Sequence, residues 1–321
     1  MIGPRWRSSE VGSDGFRTRT ATIRGPKLRT AALSREAAAT TGTMASTSTP
    51  VYDSAAPRRP IFDETRSLWS HRSLIRLLVG RDLTVRYKRS VLGVWWTLLN
   101  PLLTAAVMWL VFSQIFRRSS EDVPFIVYML SGILLIATFF AQGVLAAGSS
   151  LMSSAGILSK LRVPGEVFAF TAAIAAMVNF AIGMVPLLLI MVLTGTPIPW
   201  TVVLTPIPAF AMLGLVTGVG MLIASAAVHF YDVLDFVRVI LQLAIWLVPT
   251  FYPMDIIPEQ FQIIVKLNPL YSYLQVFRGF VYRGEFAPSW NFIYMFGSAV
   301  IFLAAGVWIF SKSWRAMVVK L

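Results

Sequence analysis

The chain has 321 residues, of which 56% are apolar and only 13% charged, with a formal net charge of +13 and a mean hydropathy of +0.68. That balance lies outside the range of soluble domains. It has no cysteine and two histidines, His71 and His229, which excludes disulfides, thiolate chemistry and Cys- or His-based metal clusters.

The positive charge does not point to a nucleic-acid partner. Residues 1–60 hold ten Arg and Lys against four acids, and residues 61–321 hold eighteen against eleven. In the second part the basic residues crowd the ends of apolar runs, as topology signals and anionic-lipid contacts do. Residues 1–60 are rich in Ser, Thr, Ala, Arg and Pro, with no sustained apolar period and no apolar core of a secretory signal, which predicts a disordered tail. An Arg- and Ser-rich transit peptide is the functional alternative. Translation from Met44 is the simplest one, since MASTSTPVYDSAAP reads as an ordinary bacterial start and makes residues 1–43 an extension.

Residues 61–90 are expected to form a basic helix. Seven Lys or Arg fall here (Arg66, Arg72, Arg76, Arg81, Arg86, Lys88 and Arg89), alongside Asp82 and Tyr87. On a helical wheel Leu74, Ile75, Leu78, Val79, Leu83 and Val85 share a wide sector, as a membrane-surface helix requires. Arg72 and Arg86 fall in the same sector, placed to snorkel to headgroups or to meet a partner protein. An orientation anchor and a specific gate both fit this pattern. Twenty-six uncharged residues follow at 91–116, enough at ~1.5 Å rise per residue to cross a ~30 Å hydrocarbon layer.

Charge-free runs count the remaining spans. A second begins near Val123 and ends near Ala147, where the tail GSSLMSSAGILSKLRVP loses hydrophobicity. Residues 167–231 carry no formal charge over 65 positions, and the turn TGTPIPW at 194–200 divides them into two spans, with Pro197 and Pro199 as the break. A fifth span is expected at 236–252 and a sixth at 289–311. The predicted class is an all-α integral membrane protein with six transmembrane helices. With both termini cytoplasmic, thirteen of the eighteen basic residues in 61–321 lie inside and five outside (Arg117, Arg118, Lys266, Arg278 and Arg283), the arrangement that the positive-inside rule prefers.

Two connecting stretches are unusual. Residues 150–166 use about seventeen positions where a few suffice, with Leu151, Met152, Ile157, Leu158 and Leu161 before Pro164. Either a plain polar hairpin or a short helix along the membrane, offered to a cytosolic partner, accounts for them. Residues 253–288 hold two apolar pieces either side of Asn268-Pro269, each too short to cross. Re-entrant helices explain them if their backbone is buried against protein, and a soluble outer cap is the alternative.

Aromatic residues are dense on the spans: Trp95, Trp96, Trp109, Phe112, Phe139, Phe140, Trp246, Phe251 and Tyr252. Most suit an interfacial belt or packing. A subset suits a passage for sugars, whose C–H faces pack on rings, and Phe139-Phe140 lie mid-span, which favours lining or packing. Ionisable residues inside the spans are nearly absent, unlike an ion-coupled carrier. No G-x-x-x-x-G-K-[ST] phosphate loop occurs, so the motor of any driven transport is a separate polypeptide.

These residues carry a family resemblance. Arg81-Asp82, then Arg86-Tyr87-Lys88-Arg89-Ser90-Val91-Leu92-Gly93, and on through Trp96 and Leu99 to Pro101-Leu102-Leu103, resemble the opening of polysaccharide-exporting ATP-binding-cassette permeases of the type-2 family. Those subunits move O-antigen, teichoic acid or cell-wall galactan. The stretch from Leu158 to Pro164 with Glu166 resembles the family's coupling segment. Phe230 to Asp232 is similar to its Phe-Arg-Asp element, with Tyr231 standing where Arg is usual. Pro249, Tyr252-Pro253, Asn268-Pro269 and Arg278 resemble its outer region.

The resemblance spans about 70–321 and implies a homodimer over two copies of a separate ATPase subunit, which would hold ATP and Mg, with no cofactor and no catalytic residue in this chain. It implies a bacterial cytoplasmic-membrane location, membrane lipids around the chain and no nucleic acid. Residues 61–90 would be an interfacial gate helix and 91–321 the permease domain. Leu158, Lys160, Leu161, Arg162 and Pro164 would couple to the ATPase. A lipid-linked polysaccharide would pass along the aromatic set above, with Asn268, Pro269 and Arg278 closing the outer end. A drug or simple-lipid cargo keeps the same fold. A membrane-embedded glycan transferase is the rival from another class; it needs paired acids, for which Asp232 and Asp235 are the only candidates.

Overall fold

The computed structural model describes residues 72–87, 95–112, 123–158, 163–230 and 232–320. Every regular element among them is helical. In chain order the longer ones are α1 (Arg72–Tyr87), α2 (Trp95–Phe112), α3 (Phe125–Ser153), α4 (Glu166–Leu193) and α5 (Trp200–Ala227). These are followed by α6 (Asp232–Trp246), α7 (Glu259–Leu267), α8 (Pro269–Arg278) and α9 (Ser289–Lys320). The expected tail at 1–60 and residues 61–71 lie outside the described residues.

Among the described residues, four helices are long and apolar enough to cross a membrane: α3, α4, α5 and the stretch Ser289–Trp314 of α9, at 29, 28, 28 and 26 residues. The chain is a multi-pass membrane protein. The break expected at 194–200 separates α4 from α5. Gly195 adopts φ +71° there, a left-handed conformation that closes α4 without a Cβ penalty. Of the other two apolar runs, α2 is described over 18 residues with Pro101 inside it, and the remainder of its expected span, 91–94 and 113–116, lies outside the described residues. α6 is shorter than expected at 15 residues, ~22 Å of helix against a ~30 Å layer.

The reason α6 stops at Trp246 instead of running to 252 lies in its neighbours. The Tyr252 hydroxyl donates to Trp246 O at 2.7 Å, capping one of the last carbonyls of α6. The Tyr128 hydroxyl of α3 sits 2.9 Å from Pro249 O and 2.8 Å from Tyr252 O, pinning the chain in a turn. A second departure is that α3 continues past 147 to Ser153. Ser149, Ser150 and Ser153 donate to carbonyls three or four residues back, so the serine-rich tail satisfies its hydroxyls within the helix.

The core forms where α3 packs between α4 and α5, with α5 against α9. α3 contains a π-helical stretch, Ile133–Ala141, in which all residues but Ala137 are buried. Phe139 stacks on Phe180 of α4 at 5.1 Å, and Phe180 meets Phe277 of α8 at 5.5 Å, tying three helices together. α5 and α9 touch backbone to backbone: a Cβ on Gly218 would strike the Phe302 carbonyl, and one on Gly306 would strike the Gly218 carbonyl. That small-residue contact suits a lipid environment, where helix association rests on close van der Waals packing. Of the two short helices α7 and α8, α8 is buried along Leu270–Leu274 and Val276–Arg278, whereas α7 buries only Val265. Asn268 caps α8 by accepting the Leu270 N–H at 3.0 Å, with Pro269 at its first position.

Candidate functional site

α1 packs on the protein instead of standing alone. Leu78 is buried with Val167 and Phe168 at the start of α4, and Leu74 and Ile75 pack against the same cluster. This uses the apolar sector that the sequence assigned to a membrane surface. Leu77 lies outside that sector and is 68% exposed. Arg81 donates to Asp82 Oδ1 through Nε at 3.1 Å and Nη2 at 2.9 Å, and the pair is partly exposed. The α1 backbone includes Arg86 and Tyr87, whose side chains lie outside the described residues, as do Lys88 and Arg89.

The stretch after α3 forms one helical turn, Ala155–Leu158, so a longer coupling helix is not seen among the described residues; Lys160, Leu161 and Arg162 lie outside them. Ile157 and Leu158 pack on the Leu78–Val167–Phe168 cluster, and Leu158 also packs on a second cluster that includes Phe310, Met317 and Trp314 near the end of α9. Pro164 and Gly165 are buried, and a Cβ on Gly165 would meet the Trp314 ring. The segment therefore joins α1 to the last turns of α9 through apolar contacts.

The aromatic residues do not form one wall. Trp95 (65% exposed), Trp96 and Trp109 are exposed on α2, and the Phe112 side chain lies outside the described residues. Phe139 and Phe140 are buried in the core, so packing within the chain accounts for them and they line no open face. Trp246 is exposed and lies 4.8 Å from Phe251, while Tyr252 caps α6. With only Leu241 buried on it, α6 exposes Phe236, Val239, Ile240, Leu243 and Trp246.

At the other end, Arg278 has 0% exposure. Its Nε donates to Ser131 Oγ at 3.2 Å, Nη1 to Pro249 O at 3.0 Å and Nη2 to Tyr128 O at 3.0 Å. The guanidinium also lies 3.6 Å from the Tyr128 ring centroid, a cation–π geometry. One side chain of α8 thus holds α3 and the turn after α6. The sequence pointed to Arg278 but not to Tyr128 and Ser131, which lie some 150 residues away and carry no local signal. Asp232 opens α6, and Asp235 pairs with Arg238 at 2.6 Å on an exposed face, an ordinary helix-surface pair.

Residues 73–282 match the ABC-2 type transporter family. The chain is 28% identical over 250 residues to an O-antigen export system permease protein of Myxococcus xanthus, covering 77% of this chain and 95% of that protein. It is 27% identical over 240 residues to an O-antigen export system permease protein of Klebsiella pneumoniae, covering 74% and 91%. A polysialic acid transport protein of Escherichia coli is 21% identical over 238 residues, covering 73% and 92%.

Proposed function

Because the chain belongs to the ABC-2 type transporter family, we propose that it is the membrane-spanning subunit of an ATP-driven exporter of lipid-linked polysaccharide. The named relatives support a glycan cargo over a drug or simple lipid. It works as a homodimer with two copies of a separate ATPase subunit, which binds ATP and Mg. The exposed apolar faces of α2 and α6 are where the second copy and lipid lie. α2 and α6 complete six spans, with both termini cytoplasmic, and α7 with α8 forms the outer re-entrant hairpin. The site is the inner membrane of a bacterium.

The observation that carries this reading is that Leu158 packs both on the cluster that holds Leu78 of α1 and on the cluster that holds Phe310 and Met317 of α9. A push delivered by an ATPase to the stretch from Leu158 to Pro164 moves the basic helix α1 and α9 together, because packed interfaces shift between discrete arrangements and do not deform continuously. α1, with Arg81, Asp82, Arg86, Tyr87, Lys88 and Arg89, then acts as the inner-leaflet gate. Trp95, Trp96, Trp109 and Trp246 face the glycan. Asn268, Pro269 and Arg278 hold the outer closure.

The test is to co-express the chain with the ATPase subunits encoded near it and to compare ATP hydrolysis for the wild type, Arg162→Glu and Leu158→Asp. The ATPase is expected to co-purify with the wild type. Arg162→Glu detaches it, and Leu158→Asp leaves it bound but breaks the link between hydrolysis and export. Failure of any ATPase to co-purify, with surface glycan intact after deletion of the chain, overturns the proposal.

A further inference from the structure

Between α1, the inner half of α3 and the first turns of α4 lies a cleft of about 600 Å³, inside the ~300–1,000 Å³ range of small-molecule sites. Its α4 wall runs from Phe168 to Asn179, ~16 Å at ~1.5 Å per residue, about half of a ~30 Å hydrocarbon layer. The lining is unusually polar for such a depth: Thr138, Gln142, Ser149, Ser150, Ser153 and Ser154 from α3 and the turn after it, Thr171 and Asn179 from α4, with Arg81 and Asp82 at α1. Polar side chains set into apolar spans mark substrate paths by default.

The hydrogen-bonding capacity and the charge of the lining decide what fits. Ser149, Ser150, Ser153 and Thr171 each spend their proton on a backbone carbonyl of their own helix, at 2.6 to 3.3 Å. Only their oxygen lone pairs remain for an occupant. Asn179 is 5% exposed, and its Oδ1 is buried without a hydrogen-bond partner. The side-chain amides of Asn179 and Gln142 and the hydroxyls of Thr138 and Ser154 add donors, so the lining offers donors and acceptors together. Arg81 and Asp82 bond to each other, so among the described residues the wall carries no net charge. A phosphate or diphosphate, a multiply charged anion, finds no charge to balance it here. A sugar hydroxyl both donates and accepts, which matches this neutral mixed lining, and sugar C–H faces pack on Leu78, Phe168, Ala172 and Ala176.

We propose that this cleft binds a sugar of the lipid-linked glycan, seated inside each chain between α1 and α3–α4, while the lipid's phosphates stay outside it. This rests on the exporter reading above. Asn179 and Thr171 are the deep acceptors, and α1 is the wall whose movement opens or closes the seat.

The test uses the complex with its ATPase subunit in lipid nanodiscs. Two probes are compared by direct binding: polyprenyl diphosphate carrying one N-acetylglucosamine, and polyprenyl diphosphate without sugar. The wild type is expected to favour the sugar-bearing lipid about tenfold, the worth of one or two buried hydrogen bonds. Asn179→Leu and Thr171→Val bring the ratio towards one, whereas Thr171→Ser, which keeps the hydroxyl, retains it. Because the chain has no cysteine, Ala175→Cys on the cleft wall gives an independent readout: the sugar-bearing lipid slows its alkylation and the bare lipid does not. If both lipids bind the wild type equally, or the alkylation rates do not differ, the sugar seat is overturned while the exporter reading stands. If the ratio survives both Asn179→Leu and Thr171→Val, the sugar is held elsewhere and the proposal falls. If neither lipid binds, the exporter reading fails and takes the cleft proposal with it.

Discussion

Arg278 offers a prediction in which charge and shape give opposite orders. Replacing it with Met removes a buried cation and three hydrogen bonds. The carbonyls left behind keep other partners: Pro249 O still accepts from the Tyr128 hydroxyl at 2.9 Å, and Tyr128 O from Ser131 Oγ at 2.7 Å. The gross loss of ~1.5 kcal/mol per charged bond is offset in part by relief of desolvation, which leaves a net cost of about 2 kcal/mol. Lys keeps the charge but not the fork. From one point it reaches fewer of acceptors spread over α3 and the turn after α6, and the cation stays buried with poorer solvation, at about 4 kcal/mol. With ~2–4 °C lost per kcal/mol, Arg278→Met lowers the melting temperature of the purified protein by about 5 °C and Arg278→Lys by about 10 °C. Tryptophan fluorescence during a thermal ramp in detergent reads both. If Arg278→Lys melts within a couple of degrees of the wild type, or above Arg278→Met, the guanidinium geometry is not what holds these three segments.

Two further outcomes follow from the packing. Gly306→Val drives a side chain into the Gly218 backbone and separates α5 from α9 at a cost of about 3 kcal/mol or more, read as loss of monodisperse protein in size-exclusion chromatography. Gly297→Ala on the same helix has open space around it and gains up to about 1 kcal/mol from helix propensity, so the pair separates crowding from a general intolerance of α9. Asn268→Ala removes the cap of α8 and costs about 1 kcal/mol, seen as a drop of about 3 °C in the same thermal ramp.

The apolar runs and the Pro-Gly punctuation made most of the helices legible before any coordinates. Charge-free length, with the turn at 194–200 to divide α4 from α5, located α3, α4, α5 and α9, because in a membrane the helix is the form that satisfies a spanning backbone internally. The same rule overestimated α6. A run of apolar letters carries no record of Tyr128, 118 positions before Trp246, whose hydroxyl holds Pro249 O and Tyr252 O in a turn. It also ended α3 too soon, since serine lowers hydropathy without stopping a helix that can absorb its hydroxyls.

The site was harder to read for a related reason. Arg278 was counted among the outer topology charges, as any Arg between spans would be, although its side chain is enclosed by residues from two other segments. Removing it leaves four basic residues in that outer count, so the inward bias grows and the residue passes from topology to packing. The cleft did leave a trace. Thr138, Gln142, Ser149 and Ser153 recur at spacings of four, seven and four, and Thr171, Ala175 and Asn179 at four, which places each set on one helix face. What periodicity cannot supply is that α1 lies across both faces, since that depends on Leu78 docking against Val167 and Phe168. A polar stripe on a span reads as a lumen, a dimer seam or a cleft with equal ease, and only the packing of α1 makes it a cleft.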